Sequence, residues 1–471
     1  MYGLCHSPPD HHIVLLSPPS LIGVEEWACT SILVLVGFRN EATPLRSNKA
    51  LVIRNLKYLD AFIGEMTEWV YANLVDIEGY VHTVVLRRDF ESFFKKGIGI
   101  DGSSIPGYAD VNRSDLVAKP DMATFIKIPW RENEYLVLLR TYYGEEPFEK
   151  DPKNLAGKVD KALDSLGYTA VLRPELEFFV LNENRDGTSH YFEPPYSDDT
   201  FEYRKRVSEN VQAMGIPVRY HHHENAAGQV EIELMWINGV ERTCDYTIYT
   251  KMVSKWIAKE MGIKVSYIPK LRSDMAGNGM HVHIFLRRGE ENIFQGEENL
   301  TQEALYFIGG VLEHVPYITA ITNPTINSYK RLFGGLEAPK YISWGYRNRS
   351  SLIRIPSGMS DIEIRNADSA ANPYLVFSLI TLAGIDGIKK KIEPPHPVEF
   401  DLYSISPEEL KKYPSLPNSL EEAMELMESD DFVKNSLGSE LFQSFVDMKK
   451  EEIKEFRSTV TEWEIQKYGD L

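Results

Sequence analysis

Hydrophobic and polar residues first alternate regularly in the stretch that begins at Trp69 and reads WVYANLVDIEGYVHTVVL. Two runs with this period, separated by a turn at residues 76–79, predict a β-hairpin. The next stretch, FESFFKKG, predicts a short amphipathic helix that ends at Gly97. ATFIKIPW and EYLVLLRTYY then predict a pair of strands. Together these elements predict a small α+β domain over residues 66–148.

The remainder of the chain, residues 149–471, alternates between strand-like and helix-like patterns and contains no internal repeat. ALYFIGGVLEHVPYITAIT and NPYLVFSLITLAGIDGI are apolar enough to be largely buried helices. The charged tail MKKEEIKEFRSTVTEWEIQKYG predicts a solvated helix, with Trp463 docked on the rest of the protein. We therefore expect a second, larger domain that ends in a helical tail.

Residues 1–50 are rich in Pro, Ser and His and show no sustained period. We expect residues 1–65 to be a weakly ordered extension, although Asn55–Glu68 could form one helix. The apolar run Ile32–Phe38 is far shorter than the roughly 20 residues needed to cross a bilayer. The segment before it has no basic stretch, so the sequence predicts neither a membrane anchor nor a secretion signal.

The composition narrows the possible partners and compartment. The 471 residues are 43% hydrophobic and carry a formal net charge of −18. This charge disfavours nucleic acid as the main partner, since phosphate binding needs clustered Lys and Arg. The three cysteines, at positions 5, 29 and 244, form no CxxC pair. Neither a thiolate zinc site nor a disulfide framework is expected, and a cytoplasmic location is favoured.

Two pairs of glutamates occupy alternate positions in segments that resemble strands. Glu175 and Glu177 lie in RPELEFFV, and Glu231 and Glu233 lie in HHHENAAGQVEIEL, so each pair shares one strand face. Such pairs usually lie on exposed edge strands. Here the bulky apolar flanks favour a face turned inward, where like charges repel unless a cation lies between them.

A third segment, GNGMHVHIFL, places His281 and His283 on one face of a strand. Gly277 and Gly279 allow the backbone to approach a ligand closely. A lone HxH pattern is more often structural than metal-binding. Combined with inward carboxylates and no thiolate, however, it indicates a hard cation, Mg²⁺ or Mn²⁺.

Arginines are concentrated in the segment NSYKRLFGGLEAPKYISWGYRNRSSLIRIP and in the following DIEIR. Guanidinium groups suit carboxylates and phosphates, so a nearby metal site favours phosphoryl transfer from a nucleotide. The sequence has no Walker A motif, kinase glycine-rich loop or GxGxxG in the right context. A surface network of salt bridges remains the alternative for this segment.

Taken in order, these segments resemble type I glutamine synthetase from Trp69 to the C-terminus. Eight motifs occur in the order that the family has. They are GIGIDGSSIPGY, PDMATFIKIPW, PELEFF, HHHENAAGQVEIEL, GNGMHVH, NPTINSYKRL, EAPKYISWGYRNRSSLIRIP and ADSAANPYLVFSLITLAGIDGI.

The resemblance implies an α+β fold: an N-terminal β-grasp domain, residues 66–148, and a catalytic domain, residues 149–471. In the second domain a curved antiparallel sheet forms a funnel, as in guanido kinases. It implies an ATP-dependent ligase that joins glutamate and ammonium through γ-glutamyl phosphate. It also implies a homo-oligomer, a dodecamer of two hexameric rings, in which each active site is shared between neighbouring subunits.

The resemblance also implies roles for individual residues. One divalent cation would be held by Glu177, Glu224 and Glu231, and a second by Glu175, His281 and Glu363. Arg331 would bind the substrate carboxylate, Arg365 would assist at the acyl group, and the Gly277 carbonyl would accept from the substrate amine. Arg349, Arg354 and His223 would contact the ATP phosphates. Asp101 would take a proton from ammonium, and Glu337 would shield the acyl phosphate from water.

Some positions depart from the family pattern. Ala276 replaces an asparagine beside the substrate loop, Phe285 replaces a serine near the adenine, and Arg113 replaces an acidic residue near the ammonium entrance. Tyr403 occupies the position that some members adenylylate. These departures leave two alternatives open: a γ-glutamyl ligase for another amine, such as a polyamine, and a non-catalytic scaffold.

Overall fold

The computed structural model describes residues 69–88, 90–181, 190–297, 299–333 and 337–471. It also gives the backbone of three N-terminal strands that pair antiparallel in the order β1-β2-β3. The helix predicted over Asn55–Glu68 lies outside the described residues, and the weakly ordered extension over residues 1–65 stays a prediction. The three strands are β1 (His11–Leu15), β2 (Ile32–Phe38) and β3 (Lys49–Ile53).

The first domain is a seven-stranded mixed sheet with one helix against it, which confirms the predicted small α+β domain. Its main strand order is β5-β4-β9-β7-β6, with β4 parallel to β9. The predicted hairpin is β4–β5, and the Asp76 carboxylate accepts from the backbone N–H groups of Glu78 and Tyr80 in its turn. The elements are β4 (Trp69–Val75), β5 (Val81–Leu86), α1 (Phe90–Lys96), β6 (Ile98–Asp101), β7 (Asp115–Pro120), β8 (Ile126–Lys127), β9 (Glu134–Tyr143) and β10 (Glu146–Pro147).

The second domain is built on a ten-stranded sheet in the order β12-β13-β11-β16-β20-β19-β18, with β14 and β15 on β11 and β17 on β16. All neighbours pair antiparallel except β18 and β19, so the sheet is mixed where a wholly antiparallel one was expected. The strands are β11 (Thr169–Leu181), β12 (Val218–His223), β13 (Gln229–Leu234), β14 (Ile237–Asn238), β15 (Lys264–Ser266), β16 (Val282–Arg288), β17 (Glu291–Asn292), β18 (Trp344–Tyr346), β19 (Ile353–Ile355) and β20 (Ile362–Ile364).

Helices pack against this sheet. The two most apolar helices, α5 (Gln302–Thr322) and α7 (Pro373–Lys390), are largely buried as predicted. They approach closely because Gly310 faces Gly387, where an added Cβ on Gly310 would lie 2.6 Å from the Gly387 Cα. In the described part of the chain, α5 alone is long and apolar enough to span a membrane, and most of it lies inside the protein core. The helices are α2 (Pro152–Ser165), α3 (Phe201–Ala213), α4 (Val240–Glu260), α5 (Gln302–Thr322), α6 (Ile326–Phe333), α7 (Pro373–Lys390), α8 (Pro407–Leu410), α9 (Leu420–Glu428), α10 (Asp431–Leu437), α11 (Ser439–Ser458) and α12 (Glu462–Tyr468).

The C-terminal tail differs from its prediction in two respects. The predicted single helix is divided, since α11 ends at Ser458 and Thr461 caps a separate helix, α12. Trp463 was expected to be docked, but its side chain is 61% exposed in this chain. The Thr461 side chain and the Glu464 side chain form a reciprocal capping box that starts the new helix, which explains the break.

A buried ionic cluster joins the two domains. Lys153, in the first turn of α2, is 1% exposed, and its Nζ lies 2.6 Å from Asp245 Oδ1 and 2.8 Å from Glu241 Oε1 on α4. The same Nζ lies 3.2 Å from Asp121 Oδ2, and Arg140 of β9 lies 3.0 Å from that carboxylate. Two cations therefore offset three carboxylates at the junction, which fixes the second domain against the first.

Candidate active site

The register between β11 and β13 brings four glutamates to one place. Glu175 is paired with Glu233 and Glu177 with Glu231 across the two strands, so all four side chains share one sheet face. Glu177, Glu231 and Glu233 are buried, and Glu233 is 0% exposed. The predicted inward orientation of the two ExE pairs is confirmed.

Glu224, just after β12, joins the buried glutamates on one side together with a histidine. His222 Nε2 lies 3.2 Å from Glu231 Oε1, and His222 Nδ1 lies 3.4 Å from Glu224 Oε1. One potential ligand atom from each of these three residues lies within 4.8 Å of the others. The Glu177 Oε2 atom accepts from the Gly279 N–H (2.7 Å) and the Gln229 side-chain amide (3.1 Å).

Glu363 and the two histidines of the HxH motif complete the cluster on the other side. His283 is paired with Glu363 between β16 and β20, and its Nε2 lies 2.9 Å from Glu175 Oε1. His281 Nδ1 lies 2.9 Å from Glu175 Oε2 and 4.0 Å from Glu363 Oε1. Ligand atoms of Glu175, His283 and Glu363 lie within 4.8 Å of one another.

The electrostatics of the two halves differ. Burial and the charges of Glu177 and Glu231 raise the pKa of Glu224 to about 9. Burial and the Glu175 and Glu177 charges also raise the pKa of Glu231 well above its usual value. On the other side, burial opposes ionisation, but Arg365 and His283 still lower the pKa of Glu363 to about 2. Glu224 and Glu231 are therefore protonated at neutral pH unless a divalent cation stabilises their ionised forms.

The donor set fits hard divalent cations. It consists of carboxylate oxygens and imidazole nitrogens without a thiolate, the ligands that suit Mg²⁺ and Mn²⁺. Glu233 Oε2 is buried and makes no hydrogen bond within the described residues, although Arg219 lies 2.6 Å from the other oxygen. We use the name cation cluster for the six predicted ligands: Glu175, Glu177, Glu224, Glu231, His281 and Glu363. The groups whose ligand atoms lie within 4.8 Å of one another at this site also contain His222, His283 and Glu233, but neither Glu177 nor His281.

Three of the predicted arginines lie beside this cluster. Arg365 Nη1 donates to Glu363 Oε1 at 2.5 Å, and Arg354 donates to the other oxygen of Glu363. Arg331 is 2% exposed, and its guanidinium donates to the backbone carbonyls of Arg365 and Asn366. Arg349, by contrast, is exposed.

The glycine loop before β16 packs directly against Arg331. A Cβ on Gly277 would lie 2.9 Å from Arg331 Cγ, and a Cβ on Gly279 would lie 2.9 Å from Arg331 Nη2. The Gly277 carbonyl accepts from the Gln229 side-chain amide at 3.1 Å. Only glycine allows this approach, and the predicted approach of the loop backbone to a ligand stays a prediction.

Asp101 occupies a separate loop of the first domain. Its carboxylate accepts from the Ser103 N–H (2.9 Å), the Ser103 hydroxyl (2.6 Å) and the Ser104 hydroxyl (2.8 Å). These bonds lower the pKa of Asp101 to about 2, so it is ionised at neutral pH. Arg113, which raised doubt about ammonium, stacks 4.8 Å over the Tyr143 ring and lies 3.8 Å from Glu440 Oε1, so Glu440 partly offsets its charge.

Glu337 is held next to the cation cluster. The Asn225 side chain donates to Glu337 Oε1 at 2.9 Å, and Arg365 donates to the Glu337 carbonyl at 3.5 Å. The Tyr403 hydroxyl donates to the next carbonyl, that of Ala338, at 3.3 Å. Phe285 packs edge-on to Trp236, with ring centroids 5.0 Å apart.

Some residues beside the site were not predicted. The role of His223 at the nucleotide phosphates stays a prediction; its Nδ1 lies 2.6 Å from the Glu224 carbonyl, and His222 Nδ1 lies 3.4 Å from the Glu224 carboxylate. His283 was noted only as part of HxH, and Gln229 and Asn225 were not predicted. The only available signal for the last two was their position inside HHHENAAGQVEIEL.

Comparison with known proteins defines the class of this fold. Residues 66–144 match the model of the glutamine synthetase β-grasp domain, and residues 149–468 match that of the glutamine synthetase catalytic domain. A glutamine synthetase of Thermococcus kodakarensis is 38% identical over 417 residues, which covers 83% of this chain and 94% of that protein. A glutamine synthetase of Thermotoga maritima is 37% identical over 425 residues, which covers 86% of this chain and 97% of that protein.

Solved structures agree with this class. A GmaS–ADP complex superposes with a TM-score of 0.82 at 25% identity and covers 89% of this chain and all of that one. A Plasmodium falciparum glutamine synthetase has the same fold, with a TM-score of 0.78 at 23% identity. The match covers 88% of this chain and 99% of that one. The chain belongs to the glutamine synthetase family.

Proposed function

We propose that the protein is an ATP-dependent ligase that forms glutamine from glutamate and ammonium through γ-glutamyl phosphate. The observation that carries this proposal is the cation cluster, which faces inward beside Arg331, Arg354 and Arg365. Family membership supports the same reaction, since the similar relatives are glutamine synthetases over nearly their full lengths. A scaffold without activity would gain nothing from burying like charges together, which is costly without a counter-ion.

Two Mg²⁺ or Mn²⁺ ions, held by the cation cluster, would supply the positive charge that binds and polarises the ATP phosphates. Arg354 and Arg365 add cationic donors there, because each has a buried Nε–H that makes no hydrogen bond within the described residues. Arg349 is exposed to solvent, and His222 lies beside Glu224. Both would contact phosphate oxygens. His223, predicted for that role, is the weaker candidate.

Glutamate would lie against Arg331 and the glycine loop. The Arg331 guanidinium suits a carboxylate of glutamate, and the Gly277 carbonyl suits the amino group of glutamate. Arg365 lies between Glu363 and the Glu337 backbone, next to the acyl group. Ala276 presents a small side chain beside this loop, so the backbone carbonyl remains the substrate contact that we propose.

Asp101 would bind ammonium as an anion and accept the proton that ammonium must lose before its nitrogen has a lone pair with which to attack. A carboxylate with a pKa of about 2 is a weak base, so its main contribution is to attract the cation. The ammonia so formed attacks the acyl carbon, and the tetrahedral adduct expels phosphate and loses a second proton to give the amide. Glu337 would shield the acyl phosphate from water.

The hydrogen bonds of Asp101 lie within its own loop, and the cation cluster belongs to the other domain. We propose that Asp101 serves the cluster of a neighbouring subunit in a homo-oligomer, a dodecamer by family resemblance. We also propose a cytoplasmic location, which the buried, unpaired thiol of Cys244 supports.

Glutamine formation is tested by incubating the protein with ATP, Mg²⁺ and glutamate and a panel of amines: ammonium, methylamine, putrescine and hydroxylamine. We expect ATP-dependent phosphate release with ammonium and the appearance of glutamine by mass spectrometry. Turnover with putrescine or methylamine at low concentration, and little with ammonium, would instead favour the γ-glutamyl ligase for another amine. No phosphate release with any amine would favour the scaffold.

The shared site is tested by mixing two inactive variants, Asp101→Asn and Glu177→Gln, during co-expression. In a closed ring with sites between subunits, random 1:1 mixing restores about a quarter of the sites, because each intact site takes one good half from each chain. We expect this partial recovery of glutamine formation. If the mixture stays as inactive as either variant alone, each chain completes its own site.

A further inference from the structure

Asn225 connects two acidic residues that are far apart in sequence. Its side-chain amide lies 2.9 Å from Glu337 Oε1 and 3.4 Å from Glu224 Oε2, and its backbone N–H donates to the same Glu224 oxygen at 3.1 Å. Glu224 belongs to the cation cluster, and Glu337 is the residue proposed to shield the acyl phosphate. One neutral side chain therefore bridges a cation ligand and a residue that acts later in the reaction.

The chemistry of the amide explains why asparagine suits this position. Its NH₂ group has two hydrogens, so it can donate to two carboxylates at the same time. Two carboxylates brought together without such a donor repel each other. Asn225 is exposed, so its contribution to core packing is small and its hydrogen bonds are its main interaction.

The backbone at Glu337 is held independently of Asn225. Arg365 donates to the Glu337 carbonyl, and the Tyr403 hydroxyl donates to the Ala338 carbonyl. Glu337 also has a φ of 64°, a left-handed conformation that a non-glycine residue adopts only when its surroundings enforce it. Within the described residues, the Glu337 carboxylate itself has a single hydrogen-bond donor, which is Asn225. The orientation of the Glu337 carboxylate therefore depends on Asn225, whereas the Glu337 backbone is held by other contacts.

We propose that Asn225 is a positioning residue that couples the Glu337 carboxylate to the cation ligand Glu224. When Glu224 is fixed by a cation, its oxygen fixes the Asn225 amide, and the second hydrogen of that amide directs Glu337. The role of Glu337 in this inference rests on the proposed function, but the coupling itself is a property of these three residues. The same coupling predicts that Glu337 is best ordered when the cation is present, before the acyl phosphate forms.

The first test compares crystal structures with and without Mg²⁺, in the absence of substrates, and follows how well the Glu337 carboxylate is ordered. We expect Mg²⁺ to order this carboxylate in the wild type and to have little effect in Asn225→Asp, because the variant replaces the donor with a third negative charge. Asn225→Ala removes the donor without adding charge and should behave in the same way. Asn418→Asp is the matched control, since Asn418 is also exposed and donates to a glutamate, Glu422, at 3.1 Å.

The second test measures ATP consumed per glutamine formed. We expect one in the wild type and in Asn418→Asp, and about two or more in Asn225→Ala, because a misplaced Glu337 lets water reach the acyl phosphate. We also expect kcat to fall about tenfold or more while the KM for ATP changes little. A loss of fold would show in the circular dichroism spectrum, which should be the same for all four proteins.

The two tests separate failure of this inference from failure of the proposed function. If Mg²⁺ orders the Glu337 carboxylate equally in the wild type and both Asn225 variants, the coupling is wrong, whatever the protein makes. If the coupling is seen but no glutamine forms, the coupling stands and the proposed function fails. Glutamine formation with wild-type ATP stoichiometry in Asn225→Ala would also overturn the positioning role.

Discussion

The Glu177→Gln protein is expected to lose almost all glutamine formation, with kcat/KM lower by about 10³-fold or more. Glu177 presents one carboxylate oxygen to the Gly279 N–H and the Gln229 amide, and the whole side chain is buried. An amide of the same size keeps the volume but removes the negative charge that a cation requires. It can also turn an NH₂ group towards two existing donors, so the loop that carries Gly277 would shift.

This prediction is measured by glutamine formation at saturating ATP and ammonium over a range of Mg²⁺ concentrations. The matched control is Glu290→Gln, since Glu290 lies on an exposed turn and its side chain is 95% exposed. We expect the control to behave as the wild type at every Mg²⁺ concentration. Activity of Glu177→Gln within tenfold of wild type would show that Glu177 is not part of a cation site.

The Lys153→Met protein is expected to be less stable by about 3–5 kcal/mol, the usual cost of removing one partner from a buried ionic group. Without Lys153, the buried carboxylate of Asp245 and the partly buried carboxylates of Asp121 and Glu241 keep Arg140 as the one nearby cation among the described residues. Tyr374 also donates to Asp245 at 2.5 Å and cannot replace the charge. Because this cluster joins the two domains, we expect the first domain to separate from the second at lower denaturant.

The measurement is urea unfolding at fixed protein concentration, followed by circular dichroism and by tryptophan fluorescence. Lys450→Met is the control, because Lys450 is exposed and lies 2.8 Å from Glu428 on the surface, where an ion pair contributes little. We expect the control midpoint to match the wild type. An unchanged midpoint in Lys153→Met would mean that the domain junction does not depend on this charge.

Local patterns in the sequence predicted many elements because they depend on neighbouring residues. The β4–β5 hairpin follows from alternation around a polar turn, and α1 ends at Lys96, just before Gly97, whose φ of 77° is left-handed. The inward orientation of the two ExE pairs was also predicted locally, because their apolar neighbours require a buried strand. The division of the tail at Ser458 was not predicted, since the capping box at Thr461 is a weaker signal than the charged helical pattern around it.

Long-range register could not be predicted from local patterns. The pairing of Glu175 with Glu233 depends on how β11 and β13 align, which the sequence of either strand does not determine. The position of His222 has a similar cause, since it lies beside Glu231 through the register of β12 on β13.

Most of the candidate site was predicted through the family resemblance rather than through spacing. The resemblance proposed all six residues of the cation cluster, and their side chains lie near one another in the structure, while their role as ligands stays a prediction. It could not reveal Asn225, because the contact with Glu337 joins segments 112 residues apart. Contacts of this kind become visible only when the fold has placed both partners.

Counting Mn²⁺ ions bound per chain, by equilibrium dialysis with electron paramagnetic resonance, tests the convergence of the cation cluster most directly. We predict close to two ions per wild-type chain, and fewer in a variant that carries Glu175→Gln and Glu231→Gln together, one change in each half of the cluster. Binding of no Mn²⁺ by the wild type, or an equal number of ions in the double variant, would contradict a two-cation site built from these residues.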